Sequence, residues 1–529
     1  RAKPSRCGER GSRMKKLYGC LLVLLWGMHA AHAQEARFDV FEYRVEGTTL
    51  LPAIAVEQAV YPYLGEGRTL ADVEQAREAL EKAYHAAGWL TVLVAIPPQK
   101  VDEKVVRLTV TEAPVDRLRV VESRYFGLGE IRAGVPELAE GKVPNFPQMQ
   151  KELAALNKSA DRHIAPVLRP GKTPGTVEVD LRVQDRLPLH GAVELSDRYS
   201  QDTTRTRLTA SLRWDNLWQK QHGLGVTVQT APEATEESRV FSASYTWPLA
   251  SGDYLAFYAV KSDSDVAAVG TLSVRGNGVI AGARYILPLR SRWEGFFHTA
   301  TLGADYKDFS QSVALIDGGS FDSPIAYLPF TLGWDGTWLS PGRTTKFGLG
   351  FNFQMRGLVA DEREFAAKRY KGRPDYAYLR GSFSHEETWP SGWGGILKGS
   401  WQIASQPLVS NEQFAIGGAD TVRGYVESAA LGENGLALSL EARTPNFAKR
   451  IGTVLDELYL LAFFDGGEVR VREPIAAAAR FTIAGAGLGL RLKGWHGAFA
   501  GLDWAVALND LGNTERGDER AHFRLGYEW

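Results

Sequence analysis

Cysteine is almost missing from this chain: Cys7 and Cys20 are the only two among 529 residues. Both fall inside an expected leader, residues 1–33. Met14-Lys15-Lys16 gives a charged start, "LYGCLLVLLWGM" an apolar run, and Ala31-His32-Ala33 a small-residue cleavage site before Gln34. Residues 1–13 read as preceding the true start. The apolar run is short of the roughly 20 residues that span a bilayer, which favours a cleaved leader over an anchor. Cys20 precedes most of that run, so a lipid-modified cysteine is excluded as well. The mature chain is therefore expected to have no thiol, and packing and backbone pairing must hold it together.

An excess charge of either sign is also missing. Lys plus Arg number 61 and Asp plus Glu 62, for a net charge of −1. A general nucleic-acid binder draws its affinity from an excess of basic residues, so nucleic acid is not expected as a partner. The ten histidines form no His-Glu-x-x-His pair, and no Gly-x-Ser-x-Gly elbow supplies a nucleophile. No catalytic residue, metal site or cofactor is expected. Nothing after the leader is apolar enough to cross a membrane as a helix.

What is present first is an alternation of strand and helix signals. "LADVEQAREALEKAYHAAGW" places Leu70, Val73, Leu80, Tyr84 and Ala87 on one helical face, with Thr69 and Asp72 as a capping box and Gly88 as a stop. "FEYRVEG" before it, and "LTVLVAI" and "VVRLTVTEA" after it, alternate β-branched with polar residues and read as strands. The unit closes near Ala113. A second follows with "VDRLRVVES", a helix bearing Met149, Leu153 and Leu156, and a strand in which Val177, Val179, Leu181 and Val183 share a face. The expected fold begins with two tandem α+β modules, residues 34–113 and 114–187.

After Leu187 the pattern changes. In "RTRLTASLRW" Leu208, Ala210, Leu212 and Trp214 alternate with Thr209, Ser211 and Arg213; in "VFSASYTW" Phe241, Ala243, Tyr245 and Trp247 alternate with Ser242, Ser244 and Thr246. The last strand repeats this with Phe523, Leu525, Tyr527 and Trp529. A soluble sandwich would alternate too. The number of such segments, the aromatics at their ends, and turns after Trp247-Pro248, Leu287-Pro288 and Trp389-Pro390 favour a transmembrane antiparallel β-barrel over residues 188–529. At roughly 20 residues per strand with its loops, about 16 strands are expected, enough to leave an aqueous lumen.

"TVRGYVESA" lies in a long glycine-rich stretch between two such strands. Folded back into the lumen, Arg423 would need a carboxylate, and Asp465 in "LAFFDGGEV" shares a face with Phe463 and Gly467. Gly466 and Gly467 are expected to let another backbone approach closely. The competing reading is a solvated loop arginine.

"VRGY" at 422–425 followed by "FFDGG" at 463–467 resembles the paired signature of the POTRA-barrel superfamily of outer-membrane transporters. Within it, the chain resembles the transporters of two-partner secretion, the haemolysin and filamentous-adhesin exporters. "IPPQKV" at 96–101, the stretch from Leu156 to Leu195 and "RWDNLW" agree with that likeness, which covers nearly all of the mature chain. The resemblance implies that Val422, Arg423, Gly424 and Tyr425 tip the sixth extracellular loop and that Arg423 pairs with Asp465 on the barrel wall. Glu441 is a further candidate wall contact. It also implies an outer-membrane location with the POTRA modules in the periplasm, export without ATP, and an unfolded secreted exoprotein as partner. Outer-membrane lipid, and the barrel-assembly machinery during biogenesis, are implied as well. Phe523, Leu525, Tyr527 and Trp529 would form the C-terminal assembly signal. One departure is the family's N-terminal plug helix, which has no counterpart between Gln34 and Phe38. Other readings are a barrel-assembly insertase, which typically has more than two POTRA modules, a lipase-like enzyme and a passive porin.

Overall fold

The computed structural model describes residues 36–529 except 102, 202, 265, 270, 271, 315–319, 453, 476 and 477. The expected leader and both cysteines lie outside the described residues.

The first module has the strand β1 (Glu42–Glu46), the helices α1 (Ala53–Val60) and α2 (Leu70–Ala86), then β2 (Val92–Ala95) and β3 (Val105–Glu112). The sheet order is β1-β3-β2, with β1 parallel and β2 antiparallel to the central β3. Helix α2 begins at the Thr69 and Asp72 capping box. It ends at Gly88 with φ +97°, where Gly88 N–H donates to His85 O and Trp89 N–H to Tyr84 O, a paired closure that a left-handed residue permits. Its buried stripe is Val73, Ala76, Leu80 and Tyr84. Leu70, expected in that stripe, is 67% exposed, and Ala87 is exposed too, because the first turn and the cap overhang the sheet. Burying a side chain such as Leu80 contributes about 1.5–3 kcal/mol.

The second module contains β4 (Val115–Val121), a short helix over Leu128–Ala133, α3 (Phe146–Leu156), β5 (Arg162–Pro170) and β6 (Val177–Asp185), with sheet order β4-β6-β5. Met149, Leu153 and Leu156 on the helix and Val179, Leu181 and Val183 on the strand are buried as expected, whereas Val177, expected on the same face, is half-buried where the strand begins.

The rest closes into one antiparallel barrel. Its strands are β7 (Leu189–Ser196), β8 (Arg207–Leu217), β9 (His222–Thr230), β10 (Ser238–Pro248), β11 (Tyr254–Ser264) and β12 (Asn277–Leu289). There follow β13 (Phe296–Ala314), β14 (Ser320–Tyr327 and Phe330–Ser340), β15 (Arg343–Phe353), β16 (Ala377–Thr388) and β17 (Gly394–Ala404). The last five are β18 (Asn434–Arg443), β19 (Leu455–Arg470), β20 (Arg480–Gly494), β21 (Ala498–Ala507) and β22 (Glu519–Glu528). β14 is one strand interrupted at Leu328-Pro329, since both halves pair with β13; proline has no N–H to give the ladder. Counted this way the barrel has the expected sixteen strands.

The apolar face points outward: Leu212, Phe241, Trp247, Leu302, Leu438 and Phe464 are all more than two-fifths exposed. A soluble sandwich would bury that face. Turns do follow the three aliphatic or aromatic residue–proline pairs, but Pro248 and Pro288 stand in the strands themselves. The barrel closes where β22 meets β7 over five residue pairs, from Arg524 opposite Ser196 to Glu528 opposite Ala192. Trp529 and Gly191 exchange backbone hydrogen bonds beyond them.

Candidate functional site: a loop folded into the barrel

The segment between β17 and β18, residues 405–433, turns back into the lumen. It carries a short hairpin, Phe414–Ile416 against Ala430–Gly432, and a tip opened by Gly417 and Gly418, both at positive φ. Arg423 in that tip is 3% exposed. Its Nε donates to Asp465 Oδ2 at 2.7 Å and its Nη2 to Asp465 Oδ1 at 2.9 Å, a two-pronged pairing that planar guanidinium and carboxylate groups match. The Arg423 backbone N–H reaches the same carboxylate at 3.2 Å. Nη2 also lies 2.9 Å from Glu441 Oε1, Nη1 lies 3.7 Å from Asp503 Oδ2, and the guanidinium covers the Phe463 ring at 3.5 Å. Asp503 is held in turn by Arg491 at 2.7 and 2.8 Å. Three largely buried carboxylates thus face two arginines, with Lys398 Nζ 3.8 Å from Glu441, an arrangement that stays near neutral only while all members are in place.

Val422 and Tyr425 are fully buried with Ile416, Val469, Ile483 and Ala507. The Tyr425 hydroxyl donates to Asn509 O at 2.7 Å and accepts from Asn509 N–H at 3.1 Å. Gly424, at φ +100°, turns its N–H onto His522 Nε2 at 3.1 Å. The expected pair of close-approach glycines needs correction. A side chain at Gly467 would press on Ile416 and Val422, but at Gly466 it would meet nothing, because strand alternation turns that residue to the outer face. The tightest approach is at Gly485 on β20, where a Cβ would stand 2.0 Å from Arg423 O.

Several contacts of this loop were not expected from the sequence. Near its root, Glu412 is 2% exposed and accepts from Lys307 Nζ at 2.6 Å and from the hydroxyls of Tyr327 at 2.7 Å and Tyr378 at 2.8 Å. Glu433, fully buried, takes Arg369 Nε at 3.0 Å and Arg472 N–H at 2.7 Å. Gln402 Nε2 donates to both Glu412 O and Glu433 O, fastening the two feet together. The tip also touches the barrel seam: Asp420 pairs with Arg198 at 2.7 Å, and Glu427 N–H donates to Tyr199 O at 3.0 Å. His522 Nδ1 stands 3.1 Å from Asp197 Oδ2, close but off the line of a hydrogen bond. The one available signal was parity, which places Gln402 on the lumen side of β17; charged loop residues carry no partner in their spacing.

Leu525, Tyr527 and Trp529 face outward and half exposed, with Phe523 partly covered on the same side. Among the described residues, Asp161, His190 and Asp215 come within metal-ligand reach of one another. Arg186 and His190 already occupy the two oxygens of Asp161, at 2.7 and 2.8 Å.

Comparison with known proteins bears on this geometry. Residues 38–113 match the family model "POTRA domain, ShlB-type", and residues 330–492, which contain the loop and Asp465, match "Haemolysin secretion/activation protein ShlB/FhaC/HecB". The chain is 21% identical over 179 residues to the outer membrane transporter CdiB of Escherichia coli strain 536; the match spans 34% of this chain and 30% of that relative's length. Among solved structures, CdiB from Escherichia coli superposes with a TM-score of 0.62 at 17% identity, covering 94% of this chain and 92% of that one. BamA from Haemophilus ducreyi lacking POTRA domains 1–3 gives 0.56 at 14% identity, covering 93% and 100%. The chain is thus similar to the ShlB/FhaC/HecB secretion proteins over residues 330–492, carries a ShlB-type POTRA domain at residues 38–113, and has the fold of CdiB.

Proposed function

We propose that this protein exports one unfolded secreted partner across the outer membrane. The partner adds a strand to an open POTRA sheet edge, where backbone hydrogen bonds give affinity with little demand on sequence. It then passes through the lumen once the loop has moved. The observation that carries this reading is the buried pairing of Arg423 with Asp465 and Glu441 on a loop inside the lumen. Such a pair makes a two-state latch: held, it shuts the pore; released, Arg423 leaves with the loop, and water entering the opened lumen takes over the carboxylates of Asp465, Glu441 and Asp503 on the wall. Val422, Gly424, Tyr425, Phe463 and Gly467 shape the seat of that latch, and the outward face of Leu525, Tyr527 and Trp529 serves insertion of the barrel.

The likeness to BamA favours a second reading, an insertase for other barrels. Comparing culture supernatant and outer-membrane proteins of cells with and without this protein separates the two. Loss of one large secreted protein, with other barrels unchanged, is the expected result. A general fall in barrel proteins would establish the insertase instead.

A further inference from the structure

Strand addition requires a sheet edge whose outward N–H and C=O groups are unoccupied. The two three-stranded sheets of the modules have four such edges, and three are obstructed. On β2 the backbones of Val92 and Val94 face outward, but helix α2 covers them: Val94 N–H donates to Glu81 Oε2 at 3.1 Å, Arg77 Nη1 to Val94 O at 3.3 Å, and His85 Nε2 lies 3.2 Å from Val92 O. Where β2 ends, the Gln99 side chain takes its place against β3, bonding both Arg107 N–H and Arg107 O at 2.7 and 2.8 Å. On β4, Val115 exchanges bonds with Gly141 and Lys142, and Leu118 N–H donates to Glu140. On β5, Asn157 bonds Ile164 N–H and O, and the same outward parity then meets Pro166 and Pro170, which have no N–H.

The fourth edge is β1. Glu42 N–H donates inward to Lys104 O, and the register of β1 with β3 is parallel. Glu42, Arg44 and Glu46 therefore turn their backbones to β3, and Tyr43 and Val45 turn theirs away. Among the described residues nothing bonds those outward groups of Tyr43 and Val45. Their side chains pack toward the module's core, while Glu42, Arg44 and Glu46 are exposed.

We propose that β1, residues 42–46, is the docking edge, and that its occupant is an extended segment of the unfolded partner with alternating apolar and polar residues. Apolar side chains of that segment continue the core face of Tyr43 and Val45, and polar ones join the charged row. Gln99, in the "IPPQKV" stretch, and the α2 side chains act to keep the opposite edge closed, so that one register is used. The occupant rests on the export reading; the choice of edge does not.

The test uses the full chain in two ways. In cells, Val45→Pro removes one outward donor and leaves the inner ladder intact, and export of the partner is measured against barrel level. In detergent, amide exchange is followed with a synthetic peptide of alternating Thr and Val as the probe. We expect lost export at normal barrel level, and slowing of exchange at Tyr43 and Val45 by about tenfold or more. Protection at Val92–Ala95 or Val115–Val121 instead, or unchanged exchange everywhere, overturns the assignment, as does normal export by Val45→Pro. If no secreted protein depends on this chain, the export reading falls while the exchange result still decides the edge.

Discussion

Replacing Arg423 by alanine should free the loop while leaving the barrel assembled. Asp465 is fully buried and Glu441 and Asp503 nearly so, so the variant strands carboxylates that had shared one guanidinium. Removing one member of a buried pair costs roughly 3–5 kcal/mol, and each 1.4 kcal/mol is about a factor of ten. The docked state should therefore be disfavoured by about a hundredfold to a few thousandfold. Asp465→Asn should cost less, since Glu441 at 2.9 Å still accepts from Arg423. Arg423→Lys should rescue poorly, because a single ammonium cannot make the two-pronged contact or cover Phe463 as a flat guanidinium does. The assay is amide exchange over residues 418–429 in the full chain, with single-channel conductance in planar bilayers read in parallel. Raising ionic strength should have little effect on the wild type, as buried pairs are weakly screened. Unchanged exchange and conductance in Arg423→Ala would refute the latch.

Gly485→Ala should eject the tip without touching a charge, because the new methyl would collide with Arg423 O at 2.0 Å; raised conductance with normal barrel level is the expected readout. In the first module, Glu112 accepts from Thr49 N–H at 2.7 Å, Leu50 N–H at 2.9 Å and the Tyr84 hydroxyl at 2.9 Å. Burial pushes its carboxyl upward, but these bonds outweigh that and hold it below the usual glutamate range. Its stabilisation is thus complete above the unfolded value of about 4.3 and is lost as pH falls through the lower folded value. Acid unfolding of this module should be less steep in Glu112→Gln, with lower stability at neutral pH, as followed by exchange of residues 105–112.

Sequence by itself determined the classes of structure. Period-3.6 and period-2 patterns separate the modules from the barrel because burial follows geometry residue by residue: Val73, Leu80 and Tyr84 must share a helix face, and Leu212 must alternate with Arg213. The sequence also singled out Arg423 and Asp465, through a motif pair that spacing alone would not have joined across 42 residues. The tertiary structure alone decided which carboxylates surround that arginine, that Gly485 and not Gly466 admits the loop, and that Glu412 and Glu433 fasten its feet. It alone decided that side chains of α2 cover one sheet edge and leave another open. These facts depend on strand register and on where a loop crosses the lumen, and neither leaves a periodic trace in the chain. A buried charge is defined by its neighbours in space, and at these sites the neighbours come from strands far apart in sequence.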